Sequence, residues 1–204
     1  MFKVNDENFE ITHALLNAHF DTEKECLFIG IEIYSKKLND NRNPAIISYA
    51  LLKFMKYELK KWLDIAGRVI EWKDFLHTKK GIKEPYAKFC YDYQKTKSDK
   101  NIYKSENSIY NTNIKFMNIE NKIFVNIMGS CNCKFNGKEI KPISLEIETE
   151  INFGSITIWP EIIDNEDIAR KRLNPFIDLE NFEFCERISG SDWRSIGYFD
   201  YKNK

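Results

Sequence analysis

The stretch Ile143-Ser-Leu-Glu-Ile-Glu-Thr-Glu-Ile-Asn-Phe153 decides how this chain is read. Ile143, Leu145, Ile147, Ile151 and Phe153 fall on odd numbers, and Glu146, Glu148, Glu150 and Asn152 on even ones. Successive side chains of a strand point to opposite faces. The alternation therefore predicts a long strand with one buried apolar face and one acidic face turned to water. Ahead of it stands Asn136-Gly137. Two residues tolerant of positive φ are what a type I′ hairpin turn requires, so Lys122–Phe135 is expected to be the partner strand. Gly129 is expected to mark a bulge there. Gly154 is expected to end or bend the acidic strand before Ile156, Ile158 and Trp159.

Strand signals extend outward from this hairpin. Asn113–Asn118 reads as a strand joined to Lys122–Phe135 by a turn near Glu120-Asn121. At the N-terminal end, Asn8–Phe20 carries Phe9, Ile11, His13 and Leu15 on one face, and Asp21–Glu25 is a polar turn. Leu27, Ile29, Ile31 and Ile33 then alternate with Phe28, Gly30, Glu32 and Tyr34, completing a second expected hairpin.

Helix signals are fewer. Leu51, Met55, Leu59, Trp62 and Ala66 step by four, four, three and four, which stacks them in one stripe. This predicts one long amphipathic helix stopped at Gly67. Arg68–Leu76 fits a helical extension or a strand equally. A short helix is expected over Asn165–Leu173, capped by Asp164 or Asn165, with Glu166 and Asp167 in the first turn, Arg170, Lys171 and Arg172 in the last, and Pro175 beyond. Gln94–Asn113 is the most polar stretch and is expected to be a long exposed loop. Trp193, Ile196, Tyr198 and Phe199 suggest a C-terminal segment docked on the body. The fold expectation is therefore one α+β domain over residues 1–204: an antiparallel, hairpin-rich sheet packed on one long and one or two short helices.

Composition bounds the function classes. Apolar residues make up 43 % and charged residues 30 %, with zero formal net charge. A dedicated nucleic-acid binder normally shows a basic excess, so nucleic acid is not the expected partner. The charge is unevenly placed, however. Leu51–Lys104 holds fourteen Lys and Arg against seven Asp and Glu, whereas Ser144–Asp192 holds four against twelve. Five cysteines at irregular spacing do not make a disulfide framework. The opening MFKVNDENFE lacks a secretory apolar core, and no apolar run is long enough to span a bilayer. A cytosolic protein with free thiols and no membrane partner is expected. The bias toward Lys, Asn, Ile, Tyr and Phe fits an AT-rich, bacterial genome.

Residues with chemical potential are scattered. Cys131-Asn-Cys133 would put two sulfurs on one strand face, but a zinc site needs two further Cys or His ligands, and the rest stand singly. His13 lies on the apolar parity of its strand, His19 near a turn and His77 in a basic stretch, none beside an obvious nucleophile. The glutamates 146, 148 and 150 would repel one another unless solvated or paired, with Lys122 and Lys134 as candidate cross-strand partners. No phosphate loop, dinucleotide fingerprint or nucleophile elbow is present. No catalytic residue, metal or cofactor is expected.

These features point to a protein-binding module. Its concrete form is an immunity protein that neutralises a toxin with a basic cleft, using Glu146, Glu148, Glu150, Asp164, Glu166 and Asp167. One alternative is a small hydrolase-like enzyme built from His13, His19 or the glutamates. The other is a nucleic-acid or scaffold protein using the basic 51–104 region, where Tyr57, Trp62 and Trp72 interleave with lysine.

Overall fold

Most of the described backbone is strand. The computed structural model describes residues 1–4, 6–36, 46–72, 77–78, 81–82, 86–93, 103–131, 134–135, 138–139, 143–161, 163, 165–187 and 196–202. The strands are β1 (Phe2–Val4), β2 (Glu7–Phe9), β3 (Ile11–Asp21), β4 (Cys26–Ser35), β5 (Ile46–Phe54), β6 (Val69–Trp72), β7 (His77–Thr78), β8 (Gly81–Ile82), β9 (Tyr86–Tyr93), β10 (Tyr103–Ile119), β11 (Lys122–Cys131), β12 (Lys134–Phe135), β13 (Lys138–Glu139), β14 (Ile143–Trp159), β15 (Phe182–Arg187) and β16 (Ile196–Tyr201). A single-turn 3-10 helix spans Trp62–Ile65, and among the described residues α1 (Glu166–Leu173) is the only α-helix. No helix among them is long and apolar enough to cross a membrane.

The expected architecture of an antiparallel sheet on a long helix is thus overturned in two respects. First, the long helix over 51–66 does not form. Its first four residues, Leu51–Phe54, are the end of β5, which pairs with β9 just ahead of them from Ile46↔Cys90 to Ala50↔Tyr86. Its centre is a turn in which Tyr57 adopts φ 67°. A helical stripe would bury Met55 with Leu59, yet Leu59 is fully buried and Met55 is 56 % exposed. Ladder pairing outweighs a chance four-residue spacing in an apolar-rich segment. Gly67 stops no helix; at φ 82° it turns the chain into β6, with its N–H donating to the Phe116 carbonyl. Residues 69–72 are strand.

Second, the sheet is mixed, with one parallel pair. β3 and β14 are neighbours. The Ser155 N–H donates to Asn17 Oδ1, the Thr157 hydroxyl to the Ala18 carbonyl, and the Thr22 N–H to the Trp159 carbonyl. Both sets of numbers rise together, so these strands run in the same sense. Far apart in sequence, they are not bound to the reversed sense that a tight turn imposes.

The polar stretch 94–113 is also not one exposed loop. Its part from Tyr103 belongs to β10, a 17-residue strand paired with β9 over 103–108 and with β11 and β6 further on. Paired neighbours satisfy its backbone despite the polar composition.

The backbone gathers into two compact units that share the chain. The first comprises Met1–Leu15, Ile31–Leu51 and Ala66–Ile151. Within it, β2–β1–β14–β11–β10 is a continuous antiparallel ladder, with β6 and β9 on the other edge of β10. The predicted parity of β14 holds here: Leu145, Ile147 and Ile151 are buried, and Glu146 and Glu148 are exposed. One inward row runs Ile70–Ile114–Ile127–Ile147–Phe2 across five strands. β12 and β13 pair as Phe135↔Lys138, bracketing Asn136-Gly137, which lies outside the described residues. The expected bulge is present, but in β10 and not at Gly129. Register shifts between Tyr110↔Ser130 and Asn113↔Met128, and Asn111 takes φ 48°. Asparagine tolerates that conformation best after glycine.

The second unit comprises Leu16–Gly30, Leu52–Ile65 and Asn152–Lys204. The β3–β4 hairpin has inward residues Leu16, Ala18 and Phe20 on β3 and Leu27 and Ile29 on β4. The parity of β4 is as read from sequence, whereas that of β3 is inverted. The inward parity of β14 switches between Phe153 and Ile156, so the strand continues past Gly154 with its faces exchanged. α1 forms as expected, with the Asn165 side chain accepting from the Ile168 N–H. Its arginines reach off the helix. Arg170 donates to the carbonyls of Leu179 and Phe182 (3.1 and 3.0 Å), and Arg172 to that of Thr22 (3.0 Å). Phe153, Phe182, Tyr201 and Trp62 form an aromatic cluster with centroids 5.2–6.1 Å apart.

Candidate functional site

The outward face of the first unit follows from strand register, because direct partners in an antiparallel pair share a face. Glu71, Asn113, Met128, Glu146 and Lys3 form one row across β6, β10, β11, β14 and β1. Val69, Lys115, Asn126 and Glu148 form the next, and Met117, Phe124 and Glu150 a third. Lys122 takes up Glu150 at 2.9 Å, as the sequence suggested for that lysine. Lys134 lies in β12, which pairs with β13. Glu146 and Glu148 make no ion pair among the described residues. Met128, directly opposite Glu146, is 55 % exposed, and Val69, at the β6 end of the second row, is similarly open. The face thus joins unpaired carboxylates to exposed apolar side chains.

The remaining acidic residues named from sequence belong elsewhere. Glu166 and Asp167 are exposed on the first turn of α1 in the second unit, and Glu166 pairs with Arg170 at 2.7 Å. Asp164 lies outside the described residues. Helix capping and the dipole account for their positions.

Of the histidines, His13 is exposed on β3, its ring edge-on to Tyr34 at 5.6 Å. It is not a core residue, because the inward parity of β3 is even. His77 lies in β7. His19 is half-buried in the second unit. It lines a pocket of about 470 Å3 with Ser155, Thr157, Ile158, Trp159, Tyr198 and Asp200. Its Nδ1 is 3.3 Å from Thr157 Oγ1. Thr157 Oγ1 is also 3.4 Å from the Ala18 carbonyl; with the hydroxyl donating there, the complementary tautomer has Nδ1–H donating to Oγ1 and Nε2 as an acceptor. Burial pulls the His19 pKa down; the Asp21 carboxylate opposes this and the Lys24 ammonium adds to it. Net, the imidazole sits below 6.5 and is neutral at physiological pH. Thr157 is bonded away from the role of activated nucleophile.

Sequence reasoning missed this pocket because its walls come from β3, β14 and β16. Their alignment, Ser155↔Asp200 and Thr157↔Tyr198, is a matter of register. The available signal was the polar set Ser155, Thr157 and Trp159 alternating with Ile156 and Ile158. Cys131 closes β11, and Cys133 lies outside the described residues. Among the described residues no three ligating side chains gather as a metal site.

Set against known protein families, curated proteins and solved structures, this chain matches none.

Proposed function

We propose that the chain is a protein-binding module that docks a basic partner on the outward face of β14, β11, β10 and β6. The supporting observation is that Glu146 and Glu148, both without an ion pair among the described residues, share one face with exposed Met128, directly opposite Glu146, and with exposed Val69 at the β6 edge. Apolar contact, methionine included, supplies the desolvated centre of an interface. Carboxylates beside it steer and select a positively charged surface. The narrower form of this reading is neutralisation of a toxin with a basic cleft, and its support is the sign of the charge.

The test uses the immobilised full chain, a Glu146→Lys/Glu148→Lys variant and a Met128→Asp variant, each with an unchanged melting temperature. Proteins retained from the native host are eluted with rising salt and then reconstituted in purified form. The expected result is a basic protein held by the wild type and bound at least about tenfold more weakly by each variant. A partner that binds all three chains equally, or no retained protein, refutes the reading.

A further inference from the structure

We infer that the pocket of the second unit is a binding site for a neutral polyhydroxylated ligand, a mono- or disaccharide. The polar lining groups and Trp159 stand side by side on one sheet face. Ser155 is paired with Asp200 and Thr157 with Tyr198, and His19 is bonded to Thr157 from β3. The opposite face, with Ile156, Ile158 and Phe199, is buried.

The lining chemistry selects the ligand class. Ser155 carries a hydroxyl able to donate and accept, the Thr157 oxygen accepts while its hydrogen is turned to Ala18, His19 offers an acceptor nitrogen, and Asp200 presents two further oxygens beside the Tyr198 ring. That mixture suits a ligand whose every hydroxyl both donates and accepts. Trp159, 51 % exposed, adds a flat apolar wall against which the C–H face of a sugar ring can lie. No arginine or lysine among the described residues lines the pocket, so a phosphate or carboxylate would find no cation to pair with. An organic cation would use Trp159, Tyr198 and Asp200 but leave the hydroxyls and imidazole on the β3 side without a role. The volume falls in the range of about 300–1,000 Å3 typical of small-ligand sites.

The experiment is saturation-transfer NMR on the full chain. Glucose, galactose, N-acetylglucosamine, maltose and cellobiose are the probes, with choline and inorganic phosphate as cation and anion controls. At least one saccharide is expected to bind with a dissociation constant of about 0.1–10 mM. Trp159→Ala and Asp200→Asn should each weaken it at least about tenfold, with circular dichroism unchanged. If Trp159→Ala fails to fold, Asp200→Asn, at an exposed position, carries the test. Absence of binding by every saccharide overturns the inference. So does saccharide binding indifferent to the soluble variants, or saturation of choline or phosphate alone.

Discussion

Replacing Asp21 with alanine dismantles the turn between β3 and β4. Asp21 is 8 % exposed. Its Oδ1 accepts from the N–H groups of Glu23 (3.1 Å) and Lys24 (2.9 Å), and its Oδ2 lies 2.9 Å from Lys24 Nζ. Hydrogen bonds to a charged group contribute about 1.5–3 kcal/mol each, net of water. The Lys24 side chain is 61 % exposed, so its ion pair adds at most about 1 kcal/mol. The amides of an exposed turn rehydrate once the carboxylate is gone, which places the loss for Asp21→Ala near the low end, about 3 kcal/mol. At about 2–4 °C per kcal/mol for a chain of this size, the melting temperature should fall by about 6–12 °C. Asp21→Asn keeps an acceptor and should lose about half as much. Burial pushes the Asp21 pKa up. The Lys24 side-chain bond, the Lys24 N–H, the Lys24 charge and the Glu23 N–H together outweigh it, and the value lies below 3.8. A depressed folded pKa means stabilisation that is complete above 3.8 and lost as the pH falls through the folded value. Thermal melts followed by circular dichroism at neutral pH and at about pH 2.5 should therefore show the gap between wild type and Asp21→Asn closing in acid. A neutral-pH melting temperature for Asp21→Ala within about 2 °C of wild type would refute the reasoning.

Other substitutions probe the same physics. Thr112 sits in the β10 bulge, 3 % exposed, with a hydroxyl that has no hydrogen-bond partner among the described residues; Thr112→Val removes it at equal volume and should raise stability by about 1 kcal/mol in urea titration, whereas a loss would contradict this. Arg170→Ala strips two carbonyls of donors and a guanidinium 5.1 Å above the Phe199 ring. The expected loss is about 2–4 kcal/mol, little recovered by lysine, which lacks the planar fork; full rescue by lysine counts against it. Because the His19 pKa is lowered, the unfolded chain binds the proton more tightly, and stability should decline as pH falls below 6.5. His19→Gln should flatten the melting temperature between about pH 7.5 and 5.5, and an unchanged slope would disprove it.

The elements legible in the sequence are those whose local signal and tertiary role agree. β4 and the glutamate-bearing part of β14 alternate strictly because each buries one face, and α1 carries its own cap. Segments 51–66 and 103–113 were misleading for opposite reasons. The first has apolar residues at helical spacing although its neighbour is a strand. The second is polar although it is paired along its length, with β9 over 103–108 and with β11 and β6 beyond. β3 was read one residue out of phase because Ile11 and Leu15 are apolar but not inward, while the small Ala14 and Ala18 are buried. The acidic face was visible as periodicity. Its apolar company, Met128 and Val69, and the pocket around His19 depend on which strands lie side by side, and that is not encoded locally.

The threading of the two units has a practical consequence. The chain passes from one to the other after Leu15, Gly30, Leu51, Ile65 and Ile151, beginning in the first and finishing in the second. Each is therefore assembled from three separated segments, and no single scission can release either one whole. Truncation from either terminus would strip strands from their ladders and yield misfolded or degraded fragments. Genetic dissection of the glutamate face and the tryptophan pocket must proceed by point substitution in the intact polypeptide.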